Sequence, residues 1–176
     1  ADPYSRKVFI NRGATQGLVA GAPVINEAGV LGQVTRLYPL SAEVTLLTDK
    51  DQAIPVQVLR SGVRSVAYGR GQSGVLELRF MASNADIQKG DVLLTSGIDG
   101  VYPAGLAVAT VVGVESKTSD AFARIVCIPT AGVSRNRQLL VLLADPRALP
   151  PPPPPVEVLP EPRLKRGDRR ESLESP

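Results

Sequence analysis

The chain has no histidine, no tryptophan and only one cysteine. Without histidine it cannot build a Ser-His-Asp triad, a Cys-His pair or a histidine-ligated metal site. One cysteine cannot close an intrachain disulfide. Cys127 sits in the apolar run Ile125–Ile128 and reads as a small buried core residue. Aromatics are scarce, four Tyr and three Phe, which argues against stacking platforms for bases or sugars. No apolar run is long enough to cross a bilayer as a helix, and no signal peptide is visible. No stretch keeps helical periodicity over three turns. A strongly one-signed charge is missing too. The net charge is +3, and the arginines are scattered rather than gathered on one face, so no nucleic-acid partner is expected.

What is present is β-forming and heavily punctuated. Gly and Pro number 16 each among many Val, Leu and Ile, the composition of an all-β chain with many turns. The most structured stretch is Gly90–Val112, GDVLLTSGIDGVYPAGLAVATVV. It reads as a strand, a shaped loop and a second strand. The loop holds Gly97, Gly100, Pro103 and Gly105, residues that supply or restrict special backbone angles. A looser copy of the pattern spans Leu18–Val34, which either marks two related lobes or reflects how often Gly-Val patterns recur.

Eleven strands are expected, with a meander over 54–81 whose last run, Val75–Met81, alternates cleanly. There Leu76, Leu78 and Phe80 make the apolar face. The fold class is all-β and antiparallel, with one medium domain or two small lobes. A cut near Asn84 would leave seven strands before it and four after. An insertion divides them more evenly, with residues 8–51 plus 117–145 as a discontinuous first lobe and 52–116 as the second. Residues 146–176 contain six consecutive prolines, Pro150–Pro155, followed by a polar charged stretch. They read as a disordered proline-rich tail, either a stiff spacer or an SH3-type ligand.

No active site emerges. Asp49-Lys-Asp51 lacks the ligand spacing of a calcium loop and suits a strand-end turn. The glycines of 69–71 and 97–105 are not followed by Gly-Lys-Ser/Thr. Ser96 lacks the sequence of a nucleophile elbow. No catalytic, metal-binding or cofactor-binding residue is assigned. The default is a binding module acting through sheet edges or exposed loops. The edge candidates are the terminal strand 138–143 and the meander 54–81. On the loop rim, the candidate partner contacts are Ile98, Val101 and Tyr102.

Three segments carry a family resemblance: DPYSRKVFINRGATQGLVAGAPVINEAGVLGQVTRL, then VTLLTD with AIPVQVLRSGVRSVAYGRG, then DIQKGDVLLTSGIDGVYPAGLAVATV. Together they resemble the extracytoplasmic part of the rod-shape-determining MreC family, from Asp2 to Leu143. Leu47–Asp49 with Pro55 and Val56, Arg60–Arg64, and Thr95-Ser96-Gly97 with Gly100, Pro103 and Gly105 are the most specific pieces. Ala109 departs from the pattern, where many members carry Gly.

The resemblance implies two six-stranded β-barrels and favours the inserted arrangement. It implies a non-enzymatic periplasmic scaffold of the cell-elongation machinery. Implied partners are the elongation-specific penicillin-binding protein, the membrane protein MreD and, indirectly, the MreB cytoskeleton, with self-association as dimers or filaments. An inner-membrane anchor would come through an N-terminal helix outside this sequence, and the proline-rich tail suggests a Gram-negative source. Two rival functions are a peptidoglycan- or carbohydrate-binding module and a double-barrel serine hydrolase. The few aromatics weigh against the first and the missing histidine against the second.

Overall fold

The computed structural model describes residues 6–116, 121–132 and 138–143. The tail read over 146–176 lies outside them. Within them the chain forms eleven strands and two short 3₁₀ turns.

Five strands make one sheet: β1 (Lys7–Ile10), β2 (Pro23–Asn26), β3 (Gly29–Leu37), β4 (Ala42–Leu46) and β11 (Leu140–Val141), in the order β1-β4-β3-β2-β11. A turn at 27–29 joins β2 to β3. Asn26 drives it, its Oδ1 accepting from the backbone N–H of Ala28 (2.8 Å) and Gly29 (3.0 Å).

The other six strands close a barrel: β5 (Ala53–Val58), β6 (Arg64–Gly69), β7 (Leu76–Ala82), β8 (Val92–Thr95), β9 (Ala107–Glu115) and β10 (Phe122–Pro129), in the order β10-β7-β6-β5-β8-β9. Every strand of this barrel has two antiparallel neighbours. The meander over 54–81 is therefore not a free edge.

The structure reassigns one strand. Residues 122–128 were expected in the first lobe, but β10 pairs along β9 on one side and β7 on the other, and so closes the barrel. Gly113 stays in the ladder opposite Val126, and a bulge next to it absorbs the extra residue. The six barrel strands thus lie between Ala53 and Pro129, and the first lobe is a five-stranded sheet completed by β11. The barrel strands β5 to β10 lie in sequence between β4 and β11 of the five-stranded sheet.

A second difference lies in β7. Leu76 and Leu78 point into the barrel as their alternation requires, but Phe80 does not. Arg79 and Phe80 together face the single residue Arg124, so the pleat slips by one. Met81 takes the inward place instead, with Ser65 Oγ 3.0 Å from its sulfur.

The barrel core gathers Val56, Leu76, Leu78, Leu93, Val111, Ile125 and Cys127. Burial pushes the Cys127 thiol up to about 12, leaving it an inert packing residue. Val30 and Leu47, from the first lobe and its exit, belong to the same cluster, so the lobes share apolar contact. Arg6 adds a polar clamp. Its backbone N–H donates to the buried Asp49 carboxylate (2.6 Å), and its guanidinium to the carbonyls of Gly71 (3.3 Å) and Gln72 (2.7 Å). Asp49 is thus a turn residue tying two lobes together.

At the β8 entry, Asp91 is buried and accepts Arg60 Nε (2.8 Å) and Nη2 (2.9 Å) in a fork, plus the Gln88 N–H (2.8 Å). The Arg60 fork holds the Asp91 carboxyl below its ordinary value of 3.8. A carboxyl depressed on folding stabilises the fold fully above its ordinary value. That contribution disappears as pH falls through the lower folded-state value. Urea midpoints of wild type and Asp91→Asn should therefore differ most near neutrality, with wild type higher, and converge in strong acid. A gap that stays constant down to pH 2 would show that the charge plays no part.

Candidate functional site

The loop between β8 and β9 is held by its own backbone and by one threonine. Thr95 Oγ1 donates to the Pro103 carbonyl (2.5 Å) and accepts from the Leu106 N–H (2.9 Å). The Gly105 N–H donates to the Thr95 carbonyl (2.9 Å), and the Ser96 N–H to the Pro55 carbonyl (3.1 Å). Gly97, Gly100 and Gly105 all take positive φ (+73°, +69° and +90°), the region where a β-carbon is strained. Pro103 needs no donor there and offers its carbonyl to Thr95.

This geometry divides the three candidate contacts. Ile98 is 69% exposed and Val101 38% exposed, on the outer turn of the loop. Tyr102, the third candidate, is only 4% exposed and packs with the barrel core. The cause is Asp99, whose Oδ1 accepts the N–H of Val101 (3.1 Å) and of Tyr102 (3.3 Å). That Asx turn swings the chain round and drives Tyr102 inward. Burial, with a contribution from the Asp99 charge, pushes the Tyr102 phenol above its ordinary range.

Beside the loop lies a groove of about 450 Å³. Val19, Ala20 and Pro23 of the first lobe form one wall, Val101 and Pro103 the other, and Leu143 a further part of the lining. Ser96 Oγ also lines it and is buried without a hydrogen-bond partner. Among the described residues Tyr102 is the one titratable residue lining this groove, and its phenol, pushed up by burial, is no base for Ser96. Among the described residues no three His, Cys, Asp or Glu side chains gather as a metal site. What the groove offers is apolar contact area and exposed backbone, the chemistry of a protein contact. The terminal strand β11 borders it and, among the described residues, pairs only with β2.

A second feature escaped the sequence reading. Phe80 and Phe122 are exposed and packed edge to face at the other end of β9. Residue types alone could not reveal it, because Phe80 sits on the apolar side of a clean alternation.

A family model described as "Rod shape-determining protein MreC, barrel core" matches residues 1–143. The cell shape-determining protein MreC of Escherichia coli is 44% identical over 141 residues, covering 80% of this chain and 38% of the relative. The chain thus spans about two fifths of the length of that relative. The crystal structure of MreC from Pseudomonas aeruginosa superposes with a TM-score of 0.77 at 41% identity, covering 81% of this chain and 92% of the other. A complex of penicillin-binding protein PBP2 with MreC from Helicobacter pylori contains a chain of the same fold, with a TM-score of 0.56 at 22% identity, covering 68% of this chain and 74% of that one.

Proposed function

The chain belongs to the MreC family of rod shape-determining proteins, and on that premise we propose that it is a non-catalytic periplasmic scaffold of cell-wall elongation. Its work is to bind a cell-wall synthase, the elongation-specific penicillin-binding protein, and to associate with further copies of itself. MreD and, indirectly, the MreB cytoskeleton complete the assembly. The full-length protein reaches the inner membrane through an N-terminal helix. Among the described residues no helix is long and apolar enough to cross a membrane.

One observation carries the reading. Ile98 and Val101 are apolar side chains held in solvent on a loop whose backbone is fixed by Thr95 and Asp99, next to an apolar groove. Exposed apolar residues on a rigid support lose little entropy on docking, which suits a binding surface. The complex of a penicillin-binding protein with the Helicobacter pylori MreC supports the choice of partner.

The test is a calorimetric titration of the periplasmic region of the penicillin-binding protein into this protein. Ile98→Asp should weaken binding at least tenfold, about 1.4 kcal/mol, and leave the circular dichroism unchanged. Binding equal to wild type would remove the loop as a contact.

A further inference from the structure

Phe80 is the one residue other than glycine with a positive φ (+58°) among the described residues. A left-handed backbone is costly for a side chain with a β-carbon, and aromatic residues rarely adopt it. The cost gains nothing for the core, because the Phe80 ring is 80% exposed. Phe122, 58% exposed, meets it edge to face with ring centroids 6.4 Å apart at 89°. Two phenyl rings are thus preorganised outside the barrel by a strained bulge. Strain of this kind persists where it serves a site.

The surroundings say what the rings would accept. A hollow of about 250 Å³, room for one side chain, is lined by the two rings with Glu77, Arg79 and Arg124. Glu77 is already neutralised by Arg70 and by Arg124 Nε (3.2 Å). Arg124 also reaches Glu115 (3.8 Å). Arg79 lies over the Tyr68 ring, 4.8 Å from its centroid, and no carboxylate among the described residues pairs with it. Among the described residues the rim is therefore short of one negative charge. A single uncompensated arginine is little charge for a lipid surface, but it matches one carboxylate of a protein.

The place is distinct from the groove. β9 leaves the glycine loop at Ala107 and ends at Glu115 opposite Arg124, close to Phe122. The two surfaces lie at opposite ends of that strand, about 25–30 Å apart at the usual rise per residue.

We infer that Phe80 and Phe122 form a second contact surface, occupied by a protein segment that inserts an aliphatic or aromatic side chain and sets a carboxylate against Arg79. The inference rests on the synthase-binding reading and gives the penicillin-binding protein a second point of attachment. Asparagine tolerates left-handed backbone, so Phe80→Asn removes the ring and relieves the strain together. Its thermal midpoint should equal or exceed that of wild type, while its affinity for the periplasmic region of the penicillin-binding protein drops at least tenfold. Arg79→Glu should weaken binding at least fivefold, with a shallower dependence on salt.

If Phe80→Asn does not fold, Phe122→Ser is read in its place with the same expected loss. Affinities within twofold of wild type for the ring variant and for Arg79→Glu overturn the inference and leave the synthase reading standing. If wild type itself does not bind, the synthase reading fails first and the inference with it. Loss of sedimentation with phosphatidylglycerol vesicles, alongside unchanged synthase binding, would assign the surface to lipid and overturn the proposal.

Discussion

Valine at position 69 should abolish or nearly abolish the native state. Gly69 is buried at the end of β6, and its N–H donates to the Gln52 carbonyl (3.1 Å). A β-carbon there would fall on the carbonyl oxygen of Asp49 and lie 2.5 Å from the carbonyl carbon of Thr48. Both are backbone atoms of the turn that leads from the first sheet into the barrel. That turn cannot drift aside, because the Gly71 N–H holds the Thr48 carbonyl (2.7 Å) and Arg6 holds Asp49. Such overpacking against fixed backbone should cost about 3–5 kcal/mol, a large part of the stability of a domain of this size. Gly105 is the control. Its β-carbon would meet nothing within 4 Å, so alanine there costs only the strain of its positive φ, about 1–2 kcal/mol. Equal urea midpoints for Gly69→Ala and Gly105→Ala would contradict the packing at this junction.

Tyr102→Ala should also act on the fold rather than on a partner. The ring is buried among the barrel residues, and its removal leaves a cavity worth about 3 kcal/mol or more. Urea denaturation should show that loss as a lower midpoint. A variant as stable as wild type that no longer binds the synthase would return Tyr102 to the surface and contradict the burial.

The strands and the glycine loop were legible because their signals are local. Period-two patterns mark Ile54–Val58 and Leu76–Leu78, and clustered glycines mark positive φ. What the residues do not encode locally is which strand a strand pairs with. The 122–128 run has the right pattern for either lobe, and only its ladders with β7 and β9 decide. Phe80 was misplaced for a related reason. Its outward turn comes from a register slip against β10, invisible in β7 alone. Tyr102 was misplaced because one side chain, Asp99, redirects the backbone beneath it. In the candidate site, then, the support was readable from composition, while the direction of each apolar side chain depended on hydrogen bonds and pairings made elsewhere.

The proposed role of this chain is to hold a cell-wall synthase rather than to carry out chemistry of its own. The most direct measurement is a titration of wild-type protein with the periplasmic region of the elongation-specific penicillin-binding protein. The account predicts saturable one-to-one binding with a dissociation constant on the order of micromolar. No saturable binding at concentrations of about 100 μM, with both proteins folded, would contradict it.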